Sequence, residues 1–268
     1  MSQRVGMRFM ELGFRTGAFR DWHLKDALTR LKSIGYDSVE LCLEHPEMQV
    51  KDMTPAAVGE WNRCLSQIGL QASSLSHHCA YAPDDANMRL LLDAVAVAAG
   101  FEPRILVVSS PKAQPERHQE QIAQVVQCLK VLCAKAEAAR VTIALEPEPA
   151  LVVGNTDDML AVVQAVHSPA LKVNLDIGHA YLTEPSVPDT IARLGPLIVH
   201  THFEDIAQKV HKHLIPGEGD IAFHPILDAL RRVGYSGHCI LDLFGPVVAA
   251  DPAGFAERAY ARMKPLLA

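Results

Sequence analysis

The stretch L-K-V-N-L-D-I-G-H, residues 171–179, runs a short apolar segment into an aspartate and, three residues on, a histidine. The same join recurs on either side of it. L-E-P-E-P (145–149) ends one apolar, β-branched run and H-T-H-F-E-D (200–205) ends another, with H-K-H-L-I-P-G-E-G-D (211–220) just beyond. Short runs of this kind, nearly continuously apolar and bounded by turn residues, read as strands covered on both faces, as in a parallel sheet. Carboxylates and imidazoles therefore collect where strands end, and together they are the ligand set of a divalent metal site.

Outward from this centre the chain alternates strand and helix signals from end to end. Strands are predicted over 7–14, 38–43, 71–77, 105–110, 141–145, 171–175, 197–201 and 239–243. Helices are predicted over 22–34, 54–68, 84–99, 116–139, 155–166, 187–194, 222–233 and 252–267. Several carry their own punctuation, with Asp21 and Thr54 as N-caps, Pro55 in a first turn, and Gly35, Gly69, Gly100 and Gly234 as stops. Alternation of strand and helix implies parallel β-α-β units. Eight such units in 268 residues predict an α/β chain folded as a single (β/α)8 TIM barrel, one domain over 1–268. An open doubly wound sheet, usually of five to seven strands, is the competing architecture.

Composition narrows the class. Hydrophobic residues make up 49% of the chain, enough for a large core, and no run is long enough to span a membrane. The N-terminus shows no signal-peptide pattern, and six scattered cysteines without a C-x-x-C read as reduced thiols, so a cytoplasmic location is expected. A net charge of −6 argues against a nucleic-acid partner. The G-E-G-D-I-A stretch at 217–222 mimics a dinucleotide fingerprint, but too little chain follows it and no clean strand precedes it. There is no phosphate loop of the G-x-x-x-x-G-K-[ST] type and no G-x-S-x-G nucleophile elbow.

In a barrel of this kind catalytic groups sit at the C-terminal ends of the strands. The polar residues assigned there are Glu40, Glu44 and His45 after strand two, His77 and His78 after strand three, Glu146 and Glu148 after strand five, and Asp176 and His179 after strand six. Strand seven brings His200, His202, Glu204 and Asp205, and strand eight Asp242. Strands one and four offer little, Glu11 and the Ser109–Ser110 pair. Glu44, His45, Glu204 and Glu218 read as ordinary rim or capping residues. Asp176, His202 and Asp242 lie inside apolar runs, where an unpartnered charge is very costly. A cation between converging groups, with Glu146, Asp176 and His202 the leading ligands, reconciles that cost. Of His200 and His202, only one is expected to point inward.

These segments resemble the xylose isomerase-like TIM barrel superfamily, which holds sugar isomerases and epimerases, inosose isomerases and dehydratases, and metal-dependent apurinic-site endonucleases. G-Y-D-S-V-E-L (35–41) is similar to its second strand, L-E-P-E-P to its fifth, L-D-I-G-H-A to its sixth, H-T-H-F-E-D to its seventh and G-Y-S-G-H-C-I-L-D-L to its eighth. The resemblance implies one divalent ion (Mn, Zn, Co or Mg) held by Glu146, Asp176, His202 and Asp242, the last standing where the isomerases usually have Glu. In the endonuclease branch further metals are bound. His179, His211 and His213 stand at matching positions and His77 or His78 at another, but the strand-four histidine is missing, so three metals are not expected. The activity implied is isomerisation or epimerisation of a small polyhydroxylated substrate (a sugar, sugar phosphate or cyclitol) through an enediolate stabilised by the metal. Glu146 and Asp242 would move the proton. His179 would orient a substrate hydroxyl, and His78, Glu148, His211 and His213 would line the pocket or add ligands. Phe14, Trp22, Phe203 and Phe244 are expected to shape specificity, and a homo-oligomer is compatible with this reading. Metal-assisted hydrolysis, dehydration at the same site, and a non-catalytic binding barrel are the competing readings.

Overall fold

A computed structural model describes residues 10–267. Eight parallel strands close into a barrel: β1 (Glu11–Arg15), β2 (Ser38–Cys42), β3 (Gln71–His77), β4 (Ile105–Val108), β5 (Thr142–Leu145), β6 (Leu171–Asp176), β7 (Ile198–Phe203) and β10 (His238–Leu241), with β10 returning to β1. Residues 7–9 of the predicted first strand lie outside the described residues. The open-sheet alternative is set aside by the β10–β1 pairing, which leaves the barrel no edge. A two-stranded antiparallel hairpin, β8 (Asp205–Ala207) with β9 (Val210–Leu214), rises after β7. The strand–helix reading did not foresee it.

The barrel strands are followed by α1 (Leu24–Ile34), α2 (Pro55–Ile68), α3 (Ala86–Ala98), α4 (His118–Ala139), α5 (Thr156–Val166), α6 (Ile177–Thr183), α7 (Val187–Leu194), α8 (Phe223–Arg232), α9 (Pro246–Ala250) and α10 (Pro252–Met263). Thr54 caps α2 by accepting from the Ala57 N–H at 3.3 Å, as its position suggested. Asp21 does not cap α1. That helix starts two residues later than expected, and the Leu24 N–H donates instead to Glu47 Oε1 at 3.0 Å, across from the next loop. α6 is also additional: it begins immediately after Asp176, which caps it through the His179 N–H at 2.7 Å. None of the described helices is both long and apolar enough to cross a membrane.

Packing between barrel and helices explains why the apolar runs are continuous. Phe14, Phe19, Tyr36 and Phe203 are fully covered, and the Tyr36 hydroxyl donates to the Ala256 carbonyl at 2.7 Å, tying α10 back to the barrel. Gly13 faces the crowded interior. A Cβ there would lie 2.4 Å from Ile240 Cδ1 and 2.9 Å from the Ser38 carbonyl oxygen, so the β1–β2 contact requires glycine.

At the base of β10 His238 is mostly buried, with its Nδ1 3.5 Å from Glu11. Burial, then the nearby His200, push its proton affinity down from the usual 6.5 to about 4, against the pull of Asp37. The unfolded chain therefore binds a proton that the folded chain refuses between these two values. Stability is full above pH 6.5 and declines as the pH falls toward 4, by on the order of 2 kcal/mol from this group. In urea titrations across this range, His238→Gln should lose less stability than the wild type. Parallel profiles would remove His238 from the account.

Candidate metal centre

Strand register assembles the site. Arg15 of β1 pairs with Glu40 of β2, and Glu40 with Ser74 of β3, which puts these three at one level of the barrel. On the other side Asn174 pairs with His200, and Asp176 with His202. Residues two apart on a strand share a face, so both His200 and His202 point inward. This corrects the expectation that only one could.

Glu40 is fully buried and forms the floor. Its Oε2 accepts from Ser74 Oγ at 2.7 Å, His200 Nε2 at 2.9 Å and His202 Nε2 at 3.0 Å, while Oε1 accepts from Arg15 Nε at 3.0 Å. Burial opposes the negative charge, but the two imidazoles outweigh it and hold the carboxyl well below the usual range. Glu40, His200 and His202 could by spacing hold an ion among themselves. These donors already satisfy the carboxylate, so the trio is a hydrogen-bond network that aims His202 Nδ1 upward.

Above that floor lie the four residues expected as ligands. Asp176, His202 and Asp242 offer ligand atoms within 4.8 Å of one another, and so do Glu146, Asp176 and His179. The trios share Asp176 and are joined by Glu146 Oε1, 3.4 Å from His202 Nδ1. Asp242 Oδ2 is 3.8 Å from the same nitrogen. All five side chains are buried, yet Glu146 Oε2, Asp176 Oδ2 and His179 Nδ1 make no hydrogen bond. Buried polar atoms are rarely left so. Three on adjacent strand ends, of the donor types a divalent ion takes, fit a cation among them.

The electrostatics agree with that fit. Burial works against the charge on Glu146, but His202, His179 and His78 keep its carboxyl well below the normal range. His202 is raised well above an ordinary imidazole, since Glu40 and Glu146 outweigh its burial. His179 is likewise lifted to about 9, burial notwithstanding, by Asp176 and Glu146. These are imidazoles holding protons in a nest of carboxylates, a role a cation can take over.

A cavity of about 310 Å³ opens above the centre, lined by Arg15, Cys42, Glu44, His45, His78, Glu146, Glu148, His179, His213, Asp242 and Phe244 among others. Glu148, His78 and His213 are part of its wall. His211 is exposed on β9 and meets His179 through their Nε2 atoms at 3.1 Å. His213 Nδ1 donates to the Asp242 carbonyl at 2.7 Å, which leaves its Nε2 free.

Other assignments change. His45 is buried and Glu44 half-buried, both in the cavity wall rather than on an open rim; Glu44 accepts from the His78 N–H. Glu204 is fully covered. Its carboxyl sits where a Cβ on residue 178 would be, 1.7 Å from Oε1, so only Gly178 admits it. Burial, then the neighbouring Asp176, push its proton affinity well above the usual range. Glu218 is exposed, as expected. Phe14 and Phe203 are core residues, and Trp22 packs edge-on against Phe19, leaving Phe244 as the one of the four aromatics at the cavity. The Asp205 carboxylate accepts from the N–H groups of Gly217, Gly219 and Ile221 and folds the 217–221 loop.

Sequence reading missed Arg15. Acids and imidazoles mark the other strand tips, and strand one has neither at its own. An arginine ending an apolar strand and followed by T-G was the available signal.

The chain is similar to several known proteins. The chain is 34% identical over 95 residues to a D-psicose 3-epimerase of Agrobacterium fabrum (34% of this chain, 31% of that protein). It is 23% identical over 253 residues to an L-ribulose-5-phosphate 3-epimerase of Salmonella heidelberg (88% and 86%). With an uncharacterized protein of Methanocaldococcus jannaschii the identity is 29% over 154 residues. The chain spans about half the length or less of the first and last of these, 31% and 52%. Among solved structures it shares its fold with the IOLI protein with a bound zinc atom (TM-score 0.81, 19% identity, 96% and 98% covered) and with a D-psicose 3-epimerase crystallised with D-fructose (TM-score 0.75, 18%, 96% and 99%). The family model for the xylose isomerase-like TIM barrel matches residues 28–265, and the chain belongs to that family.

Proposed function

We propose that the protein is a divalent-metal-dependent isomerase or epimerase of a small polyhydroxylated substrate, a sugar, sugar phosphate or cyclitol. The observation that carries this reading is the set of buried ligand atoms of Glu146, Asp176 and His179 that make no hydrogen bond, with Glu146 and His179 in the wall of a cavity sized for such a molecule. Glu146, Asp176, His202 and Asp242 would hold one ion. When bound, it would act as a Lewis acid on neighbouring substrate oxygens and lower the cost of the negative charge that develops there.

The remaining chemistry belongs to the side chains. A proton on carbon beside a carbonyl is weakly acidic, and its removal needs a base fixed at that carbon. Glu146, ionised and facing the cavity, takes it; Asp242, across the cavity floor, serves the opposite face. His179, fixed between Glu146 and Asp176 by contacts of 3.4 and 3.7 Å, orients a substrate hydroxyl. Glu148 is half-buried in the cavity wall, where burial together with Glu146 raises its proton affinity and its carboxyl can accept from a substrate hydroxyl.

The test is solvent exchange. Incubated in D2O with ketopentoses, ketohexoses and their phosphates, the metal-loaded protein should place deuterium on the carbon next to the carbonyl of one of them. No exchange on any member of the panel would defeat the reading. Dehydration of a hydroxy-ketone begins with the same proton removal and would show as loss of water from the product.

One observation favours a second reading. His179, His211 and His213 also bring ligand atoms within 4.8 Å of one another, so a second ion could sit beside the first, as metal-assisted hydrolysis of an ester would use. Metal analysis separates the cases: one ion per chain for the isomerase, two or more for the hydrolase, none for a binding barrel.

A further inference from the structure

Arg15 ends β1 with its side chain only 11% exposed, and its guanidinium touches three strand tips at once. Nε donates to Glu40 Oε1 at 3.0 Å, Nη1 to Asp242 Oδ1 at 3.4 Å, and Nη2 to His78 Nδ1 at 3.0 Å. We propose that Arg15 is a positioning residue of the metal centre: it selects which oxygen of Asp242 and, through Glu40, which nitrogen of His202 face the ion. The inference rests on the metal reading above.

The argument is geometric. Asp242 has two oxygens and a short stem. With Oδ1 engaged by Arg15, Oδ2 is the one left toward His202 Nδ1, at 3.8 Å. Glu40 is gripped from the other side. Arg15 holds Oε1, and Oε2 receives the Nε2 proton of His202, so once that ring is neutral its lone pair is at Nδ1, which lies 3.1 Å from Asn174 Nδ2. A carboxylate that orients a ligating imidazole in this way is a common support of metal sites. The same guanidinium fixes His78, because arginine can only donate, so Nδ1 accepts and the ring offers Nε2 toward Glu146 Oε2, 3.3 Å away. Only a rigid planar fork reaches three partners; a lysine ammonium would reach one or two. An aspartate where longer carboxylates are usual thus comes with an anchor that fixes how it is used.

Simple electrostatics predicts the opposite effect of removing Arg15. A cation 3.4 Å from a ligand oxygen repels a second cation, so deleting it should tighten metal binding. Positioning predicts loosening, and the sign decides. The experiment measures Co(II) and Zn(II) affinity of the full-length protein by chelator competition, with the visible absorption of the Co(II) form as a second readout, for wild type, Arg15→Lys and Arg15→Met. We expect both variants to bind about 10–100-fold more weakly, as loss of such support usually does, with altered Co(II) bands. Wild-type or tighter affinity with an unchanged spectrum in either folded variant overturns the inference. Arg15→Lys keeps the charge and the stem and decides the matter if Arg15→Met does not fold; loss of the fold in both makes Arg15 purely structural and overturns it as well. A wild-type protein that binds no ion would instead defeat the metal reading itself.

Discussion

Glu146→Gln should lower turnover by at least about a thousandfold while the protein stays folded. General-base catalysis alone accounts for roughly 10²–10⁴ in rate, and in the proposed site the same residue also supplies a metal oxygen. The amide is isosteric and uncharged. It cannot accept the substrate proton at working pH, and its nitrogen replaces one of the two oxygens that meet His78, His179 and His202. Those imidazoles lose the partner that holds their protons, so the variant should carry less positive charge and remain stable, with its melting temperature within a few degrees of wild type. Circular dichroism establishes the fold and the D2O exchange assay establishes the loss. Retained exchange in folded Glu146→Gln would show that the base lies elsewhere, with Asp242 and Glu148 the next carboxylates in the cavity wall.

The architecture is legible in the chain because each barrel strand is covered on both faces and so must be apolar, while the helices announce themselves by caps and stops. Thr54, Asn155 and the glycines at 35 and 69 all act locally, within a few residues of the boundary they set. The strand-end acids and imidazoles are legible for a related reason: a charge inside an apolar run is conspicuous. What escapes is whatever depends on residues distant in sequence. Arg15 takes its meaning from Glu40, 25 positions away, and Asp242, 227 away. Glu204 looks like a solvated loop residue, and it is buried because Gly178, on another element, leaves room for its carboxyl. Phe14 and Phe203 look like pocket aromatics beside polar neighbours, yet alternation along their strands turns them to the helix side. The hairpin carrying His211 and His213 has too few residues per strand to impose a pattern.

Stripping the metal with a chelator should abolish activity and lower the melting temperature by roughly 10 °C. An ion that binds the folded chain alone stabilises it by about 4 kcal/mol at a thousand times its dissociation constant, and for a chain of this length about 2–4 °C follow each kcal/mol. The drop should be larger than for an isolated surface site, because removal leaves Glu146, Asp176 and Asp242 buried together with only their imidazole and guanidinium neighbours to offset them. The sign of the pH dependence follows from those neighbours. His202 and His179 hold protons more tightly than ordinary imidazoles when no ion is present, so metal must displace protons to bind. Affinity should therefore fall as the pH falls, and loading should release protons, measurable by calorimetry in buffers of different ionisation enthalpy. Readdition of manganese or zinc should restore exchange activity and melting temperature together, saturating near one equivalent. Activity that survives exhaustive chelation, with no change in melting temperature, would mean that the buried acids and imidazoles at the barrel mouth serve one another and no cation.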